Sequence, residues 1–416
     1  MTETYSQPFA SQLTGKAYVV AEYLVSGVKP EEIKGKAEGF ATGQSIGTWL
    51  PLPGITKTLI QTHKALVLGF EQVNPNSTSP EHKLWVAFPE ENFDNSFAVL
   101  LTSLVGNDVS TSLQIRLQEL YFSEATLKNY PGPKKGVEGI RNLVEVYDRP
   151  LLLNMLKPSI GLSPKKAGVL FYESVKGGVD IIKDDEVLSE VKNSNPAERT
   201  RAFTPIIERI FQEEGRRVFY IPSITGTPSM MRKRADEVLE AGGKAVMVNH
   251  VMTGLDSFAE LADEFGNDLV IMGHYAGVGV MQSEHAGISL PIMVGTLPRL
   301  AGADMVMTMY SGEPGTLEYQ QFIDTVKNQR RPLGEKKVMM ATVGGGLTPL
   351  NIGKIIQTLG IDLILGIGGA IQGHPQGTRS GAKAARAAID AAIMGIELSE
   401  MAKSCEPLSV AIDAWS

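Results

Sequence analysis

Cysteine is almost absent from this sequence, which contains a single one, Cys405, among 416 residues. One cysteine cannot form a disulfide within the chain, so the composition favours a reducing compartment, and we expect a cytoplasmic protein. Positive charge is also in deficit, because 39 lysines and arginines face 46 aspartates and glutamates, for a net charge of -7. A nucleic-acid partner would require a basic surface, so none is expected.

Long apolar runs are missing as well. No stretch reaches the roughly 20 residues that a membrane-spanning helix needs, and the opening residues lack the basic and apolar regions of a signal peptide, so no membrane partner is expected. What remains is an ordinary globular composition, with 43% hydrophobic and 20% charged residues. The length suits a small domain followed by a barrel of about 250 residues.

One short stretch, residues 177–186, joins an apolar strand to a charged end. Val179, Ile181 and Ile182 predict a buried parallel strand, which stops at Lys-Asp-Asp-Glu in residues 183–186. A solvated surface loop is the competing interpretation. The strand places the charges at its carboxyl end, and Mg²⁺ prefers clustered oxygen ligands, so a metal site is favoured. An uncharged lysine there could also take up CO₂ as a carbamate and provide a further oxygen.

Strand-like and helix-like segments alternate eight times in the second part of the chain. The candidate strands are residues 151–155, 179–182, 218–221, 245–248, 269–272, 305–309, 338–342 and 363–365. Such alternation predicts a parallel sheet closed into a barrel, with its active site at the carboxyl ends of the strands. The predicted fold class is α/β: a small N-terminal α+β domain, residues 1–135, followed by a C-terminal (β/α)₈ TIM barrel, residues 136–416. The boundary lies in a proline- and glycine-rich segment.

The motif Gly-Gly-x-Asp-x-x-Lys-Asp-Asp-Glu in residues 177–186 resembles the metal-site signature of the RuBisCO large-subunit superfamily. The resemblance extends over most of the chain and follows the order of motifs in that family. The other matching segments are residues 47–49, 105–107, 149–152, 157–158, 161–163, 344–346, 368–369 and 373–375.

The resemblance implies one Mg²⁺ per site, with CO₂ bound as a lysine carbamate. Its ligands would be Lys183, as N6-carboxylysine, with Asp185 and Glu186. Lys157, Lys183 and His274 match catalytic positions of the family. Asp184 is expected to form structural hydrogen bonds instead, because alternate residues of an extended segment face opposite ways.

The resemblance also implies a phosphorylated small-molecule substrate and a homodimer with shared active sites. In this family, the small-domain residues reach the phosphate from the partner subunit. Glycines after the last two strands let backbone N–H groups approach a phosphate closely. The residues implied in substrate or phosphate binding are Thr48, Trp49, Asn107, Gly344, Gly345, Gly346, Gly368 and Gly369.

Four departures from the carboxylase pattern argue against CO₂ fixation. Ser159 replaces the second lysine of the first loop, and residues 311–315 lack the lysine of the mobile loop. Tyr275 and Met307 stand where the carboxylases hold a second phosphate with arginine and histidine, and losing the arginine removes a bidentate anion clamp. We therefore expect a RuBisCO-like, form IV-like protein that acts on a monophosphate.

The position of Asn107 guides the choice among RuBisCO-like activities. The methionine-salvage enolases of the superfamily have a lysine base there, which asparagine cannot replace. The methylthioribulose-phosphate isomerases of the superfamily keep the lysine pair and the loop lysine that are absent here. These departures together favour a lyase of carbohydrate catabolism, 3-oxo-isoapionate-4-phosphate decarboxylase, which needs no base, with a hydrolase or an enolase/isomerase as runners-up. The transcarboxylase/hydrolase acting on the same substrate ranks second, and 2,3-diketo-5-methylthiopentyl-1-phosphate enolase ranks third. A non-catalytic metal- and phosphate-binding barrel is the alternative outside enzymes.

Overall fold

The computed structural model describes residues 10–13, 17–73, 80–107, 114–192, 194–283 and 286–416. The predicted fold class is confirmed: a small domain with a twisted sheet precedes a barrel of eight parallel strands. Among the described residues, no helix is both long enough and apolar enough to cross a membrane.

The small domain is built on an antiparallel sheet whose central strand is β1. Its strands are β1 (Tyr18–Ser26), β2 (Leu66–Gln72), β3 (Glu81–Pro89) and β4 (Gln114–Phe122). Strand β1 pairs with β3 on one side and β4 on the other, so its side chains are buried almost throughout. The helices are α1 (Ile33–Gly43), α2 (Lys57–His63), α3 (Phe97–Leu104) and α4 (Glu124–Lys128). Short 3-10 turns lie at Ala10–Gln12 and Glu90–Asn92.

The barrel strands are β5 (Leu151–Met155), β6 (Ile181–Lys183), β7 (Phe219–Ile221), β8 (Ala245–Asn249), β9 (Val270–His274), β11 (Met305–Met309), β12 (Met340–Gly344) and β13 (Leu363–Gly366). Each pairs in parallel with its neighbours around the ring. A bridge between Ser223 and Met247 joins β7 to β8 and closes the barrel. Both faces of the sheet are covered, which explains why these strands are continuously apolar.

The barrel helices are α5 (Gly136–Val144), α6 (Pro164–Lys176), α7 (Pro196–Glu214), α8 (Pro228–Glu240), α9 (His250–Thr253), α10 (Leu255–Phe265), α11 (Leu297–Leu300), α12 (Leu317–Arg330), α13 (Ile352–Leu359), α14 (Gly369–Gln372), α15 (Thr378–Met394), α16 (Leu398–Ala402) and α17 (Glu406–Trp415). A 3-10 turn at Val278–Met281 and a π-helical segment at Pro291–Thr296 complete the described helical elements.

Alternate strand residues fill the barrel interior, including Ile181, Met247, Met305 and Met307. The intervening residues face the surrounding helices. This alternation matters for function because Lys183 lies two residues after Ile181 and so faces the same way, into the barrel.

Several barrel strands differ from the predicted bounds by one or two residues, and one strand was not predicted. The seventh barrel strand begins at Met340 rather than at residue 338, because the Val338 carbonyl accepts from Val137 N–H at 3.0 Å and pairing with Met305 starts at Met340. A short strand, β10 (Gly287–Ile288), leaves the barrel and joins the small-domain sheet parallel to β4. The small domain is therefore continued by a segment from the barrel half of the chain.

Candidate active site

The carboxyl ends of the barrel strands bring five predicted site residues together. Lys183 ends β6, His274 ends β9, and Lys157 follows β5. Asp185 and Glu186 follow Lys183 directly. Asp185 pairs with Lys157, and Glu186 lies within 4.0 Å of both Lys183 and His274. Parallel strands have their carboxyl ends on the same side of a barrel, and this is the end where such folds carry their active sites.

Lys183 is fully buried, and its burial alters its protonation. Its Nζ donates to the Asp184 carbonyl at 2.7 Å, approaches Met247 Sδ at 3.7 Å and lies 4.0 Å from Glu186 Oε2. Burial lowers the pKa of Lys183 to about 8, although the neighbouring carboxylates oppose the shift. Because CO₂ reacts with an uncharged amine, this environment favours carbamate formation at Lys183.

Asp185 is held by the lysine of the neighbouring loop. Its Oδ2 accepts from Lys157 Nζ at 2.5 Å, and Lys157 Nζ also donates to Ser159 Oγ at 3.1 Å. Burial by itself would raise the pKa of Asp185, but hydrogen bonds from Lys157 and Ser159 outweigh it and lower that pKa. The carboxylate therefore stays ionised, as a metal ligand must be.

His274 is a neutral imidazole beside the second carboxylate, that of Glu186. Its Nδ1 accepts from the Ala276 N–H at 3.2 Å, so the ring proton lies on Nε2, which is 3.3 Å from Glu186 Oε2. Burial, with the positive charge of Lys183 nearby, holds the pKa of His274 well below its ordinary value. The ring stacks on Tyr275, with 5.1 Å between centroids, which fixes its plane.

Asp184 points away from this cluster, as the alternation of an extended segment predicts. Its Oδ2 accepts from Arg199 Nη2 at 2.8 Å and from the Ser223 N–H at 3.0 Å, and Oδ1 accepts from the Tyr220 hydroxyl. Arg199 is buried as well. These hydrogen bonds connect the charged segment after β6 to helix α7 and the end of β7. Asp184 therefore has a structural role.

The donor set fits Mg²⁺ when Lys183 carries a carbamate. Within the described ranges, no three His, Cys, Asp or Glu side chains form a metal-binding group. Asp185 and Glu186 supply two carboxylates, and a carbamate on Lys183 would add the third anionic oxygen group that a hard cation prefers. Without a carbamate, the protonated amine of Lys183 would instead place a positive charge near the carboxylates of Asp185 and Glu186.

Both glycine runs lie beside this cluster at strand ends. Gly345 and Gly346 have φ values of 91° and 66°, a left-handed conformation that other residues rarely adopt. Gly369 is exposed, and a side chain added there would meet no atom within 4 Å, whereas one at Gly368 would meet the Met155 carbonyl at 3.3 Å. The exposed glycines leave their backbone open to a ligand.

The small-domain candidates lie at exposed or partly exposed positions. Trp49 is 67% exposed, and Thr48 Oγ1 accepts from the Leu50 N–H within its own turn, at 3.1 Å. In the described part of the chain, no hydrogen bond or ion pair joins these two side chains to the barrel. Asn107 is exposed after α3, next to residues 108–113, which lie outside the described ranges.

The sequence did not single out Gln372, whose side chain bonds the main chain of Lys157. A glutamine three residues after a glycine pair carries no recognisable signal. The stacking of Tyr275 on His274 was also missed, since Tyr275 was considered only as the replacement of an anion-binding arginine.

Comparison with known proteins finds one family that matches almost the whole chain. The ribulose bisphosphate carboxylase large chain, N-terminal domain, matches residues 11–125, and the catalytic domain of the same family matches residues 136–415. A ribulose bisphosphate carboxylase-like protein of Archaeoglobus fulgidus is 34% identical over 389 residues, covering 91% of this chain and 88% of that protein.

Two further relatives bear on activity and assembly. The 2,3-diketo-5-methylthiopentyl-1-phosphate enolase of Geobacillus thermodenitrificans is 32% identical over 410 residues, covering 95% of this chain and 98% of that protein. The structure of a dimeric archaeal RuBisCO from Hyperthermus butylicus superposes with a TM-score of 0.87 and 30% identity over 96% of each chain. With its altered carboxylase positions, this chain belongs to the RuBisCO large-chain superfamily, among its RuBisCO-like proteins.

Proposed function

We propose that this protein is a Mg²⁺-dependent enolase, which removes a proton next to a carbonyl group of a phosphorylated ketone. The observation that carries the proposal is Lys183, which lies 4.0 Å from Glu186 and whose burial lowers its pKa to about 8. Such a lysine can become the carbamate that completes an oxygen ligand set. When bound, Mg²⁺ would act as a Lewis acid that polarises the carbonyl and makes the adjacent C–H more acidic.

Lys157 is the residue that we assign to proton transfer. Lys183 is fully buried, whereas the side chain of Lys157 is 46% exposed and can meet a substrate. As an amine, Lys157 Nζ can take the proton, and as an ammonium group it can donate to the developing oxyanion. His274 is unsuited to the role of base, because its Nδ1 is occupied and its pKa is strongly lowered.

The replaced second phosphate site supports a substrate with one phosphate. Tyr275 stacks on His274, and Met307 is buried with its sulfur close to Gly344, so neither offers the positive charge with which the carboxylases bind an anion at these positions. The substrate of the Geobacillus relative carries, by its name, one phosphate, two keto groups and a methylthio end. We therefore propose 2,3-diketo-5-methylthiopentyl-1-phosphate as the first substrate to test.

The test is proton loss from that substrate in D₂O, followed by ¹H NMR, with the enol product detected by ultraviolet absorption. The enzyme is preincubated with MgCl₂ and bicarbonate, and EDTA-treated enzyme serves as the control. Enol formation that depends on Mg²⁺ and disappears in Lys157→Met supports the assignment. No proton loss from this diketone or from other phosphorylated ketoses would overturn it.

Decarboxylation of a phosphorylated 3-oxo acid is the second candidate, and Asn107 is the observation that favours it. Asparagine cannot act as the base that the enolases place at this position, and loss of CO₂ requires no base before the enolate forms. The same Lys157 would then protonate the carbon that lost CO₂. Release of CO₂ from 3-oxo-isoapionate 4-phosphate, without proton exchange in the diketone, would select this activity and displace the enolase assignment.

The proposed assembly is a homodimer with shared active sites. Thr48 and Trp49 lie on the small domain without polar contact to their own barrel cluster in the described residues, and Trp49 is exposed. The Hyperthermus relative is described as dimeric. In this arrangement, the small domain of each subunit would contribute its residues to the phosphate site of the other.

A further inference from the structure

We propose that Gln372 is a positioning residue for Lys157. Its side-chain amide makes two hydrogen bonds with the lysine main chain: Oε1 accepts from the Lys157 N–H at 2.9 Å, and Nε2 donates to the Lys157 carbonyl at 2.7 Å. The inference rests on the proposed function, in which Lys157 transfers the proton.

Lys157 needs such support because it lies beyond the end of its strand. Strand β5 ends at Met155, and the last backbone link to β6 is the hydrogen bond from Leu156 N–H to the Lys183 carbonyl, at 3.2 Å. A carboxamide offers one acceptor and two donors, so it can pair with a main chain as a peptide group does. At Lys157, the residue after Leu156, Gln372 thus makes the main-chain hydrogen bonds that a neighbouring strand would make.

The two hydrogen bonds from Gln372 form a clamp on the main chain of Lys157. They fix the main-chain end of a flexible side chain whose amine is already bound. Lys157 Nζ contacts Asp185 and Ser159, but four rotatable bonds separate it from the main chain. A displacement of about 1 Å at a reacting group can cost roughly 10²-fold in rate. Holding the N–H and carbonyl of Lys157 therefore restricts where its amine can lie.

Gln372 also joins this lysine to the candidate phosphate site. It ends helix α14, whose first residue is Gly369, and Gly368 packs closely against the Met155 carbonyl. One short segment therefore carries both the glycines proposed to contact phosphate and the amide that holds Lys157. This arrangement links the position of Lys157 to that of the proposed phosphate site.

The hydrogen-bond pattern distinguishes between substitutions at this position. Leucine keeps most of the volume of glutamine but provides neither bond. Ionised glutamate keeps an acceptor for the Lys157 N–H but has no donor for the carbonyl. Protonated glutamate has both an acceptor and a donor, so Gln372→Glu should regain the clamp as the pH falls toward the pKa of the introduced carboxyl, ordinarily about 4.3.

The kinetic test uses 2,3-diketo-5-methylthiopentyl-1-phosphate and the complete, Mg²⁺- and bicarbonate-treated enzyme. Gln372→Leu should lower kcat by about tenfold or more with little change in KM, since the loss is in positioning the reacting group. The activity of Gln372→Glu, relative to wild type at each pH, should rise between about pH 8 and pH 5 as the carboxyl gains its proton. The matched control is Gln376→Leu, which removes a glutamine that donates to Glu406 at 2.9 Å from the loop after α14. An unchanged kcat in Gln372→Leu, or a flat pH ratio for Gln372→Glu, would refute the proposal.

A second measurement does not depend on the reaction. Lys157 is labelled with acetic anhydride in competition with the exposed Lys233, and both are quantified by peptide mass spectrometry. Gln372→Leu should raise the labelling of Lys157 several-fold relative to Lys233, whereas Gln376→Leu should leave it unchanged. Unchanged labelling in Gln372→Leu would show that Gln372 does not position Lys157. Increased labelling without turnover of any substrate would uphold the clamp and reject the proposed function.

Discussion

Lys157 Nζ lies 2.5 Å from Asp185 Oδ2, and this ion pair joins the loop after the first barrel strand to the loop after the second. The other oxygen of Asp185 accepts from the Val187 N–H at 3.3 Å. A metal ion at Asp185 would therefore compete with the ammonium group of the residue that we assign to proton transfer. The ion pair would therefore couple metal binding to the freedom of the amine that we propose for proton transfer.

The first prediction follows from that competition. Lys157→Met should tighten Mg²⁺ binding by the substrate-free enzyme, because it removes a positive charge from a metal-ligand carboxylate, while it lowers kcat by about 10²-fold or more through loss of proton transfer. Isothermal titration with MgCl₂ measures the first effect, and the enol assay measures the second. Lys165→Met, on exposed surface at the start of α6, is the control for loss of a lysine. Weaker Mg²⁺ binding in Lys157→Met would contradict the competition.

The second prediction concerns carbamate formation at Lys183. Its pKa is lowered to about 8, so the amine is mostly protonated and unreactive below that pH and mostly neutral above it. At a fixed concentration of dissolved CO₂, the carbamate should form faster as the pH rises from about 7 to 9 and then level off. The ¹³C NMR signal of a carbamate formed from ¹³CO₂ provides the measurement. Lys183→Met should lack the signal, and a signal of equal intensity in that variant would place the carbamate elsewhere.

The chain shows which parts of a site can be predicted from sequence. The eight barrel strands and the charged end of β6 could be predicted. Buried parallel strands have continuously apolar sequences, and their carboxyl ends all lie at the same end of the barrel. The orientation of Asp184 followed from the same two-residue period. The clamp on Lys157 could not be predicted, since Gln372 is 215 residues away and bonds to main-chain atoms that have no sequence signature. Strand β10 escaped prediction because it contains only two residues.

The ranking of activities shows a second limit of prediction from sequence. The absence of a lysine at position 107, of the lysine pair and of the loop lysine favours decarboxylation, yet the name of the Geobacillus relative supports the enolase alternative, which ranks third from the sequence. One missing base does not exclude a reaction when the barrel brings another amine, that of Lys157, to the same cluster. The spatial arrangement of Lys157, Asp185 and His274 was needed to weigh that alternative.

The third prediction addresses the glycines. Gly369→Val should weaken binding of substrate and of inorganic phosphate, because its side chain would occupy the open space next to backbone N–H groups. Gly353→Ala is the control, since it lies in helix α13, where an added methyl group would make only an ordinary contact, at 3.9 Å, with Ala392. Isothermal titration with phosphate separates the two variants. Equal affinity in Gly369→Val and wild type would move the phosphate site away from α14.

The fourth prediction concerns stability. Asp184→Ala should lower the free energy of unfolding by about 3–5 kcal/mol, because it leaves the Arg199 guanidinium charged and buried without its carboxylate. The surface pair of Arg209 and Glu213 is the matched control, and Arg209→Ala should lower the free energy of unfolding far less, because an exposed ion pair is screened by solvent. Urea unfolding followed by circular dichroism gives both values. Similar losses in the two variants would mean that the Asp184 network adds nothing beyond an exposed ion pair.

The last prediction tests whether two chains build each active site. Lys183→Met disables the barrel cluster, and Trp49→Ala removes an exposed small-domain side chain proposed to reach the partner subunit. Each variant alone should be nearly inactive. Mixing them under conditions that exchange subunits should restore about a quarter of wild-type activity, because about half of the dimers are then mixed and each mixed dimer has one undamaged site. If each site belonged to a single chain, both variants would stay inactive in any mixture, since no chain would have an intact barrel together with an intact Trp49. A mixture that recovers activity only when subunits exchange therefore establishes the shared site, and size-exclusion chromatography of the wild type should show the dimer that it requires.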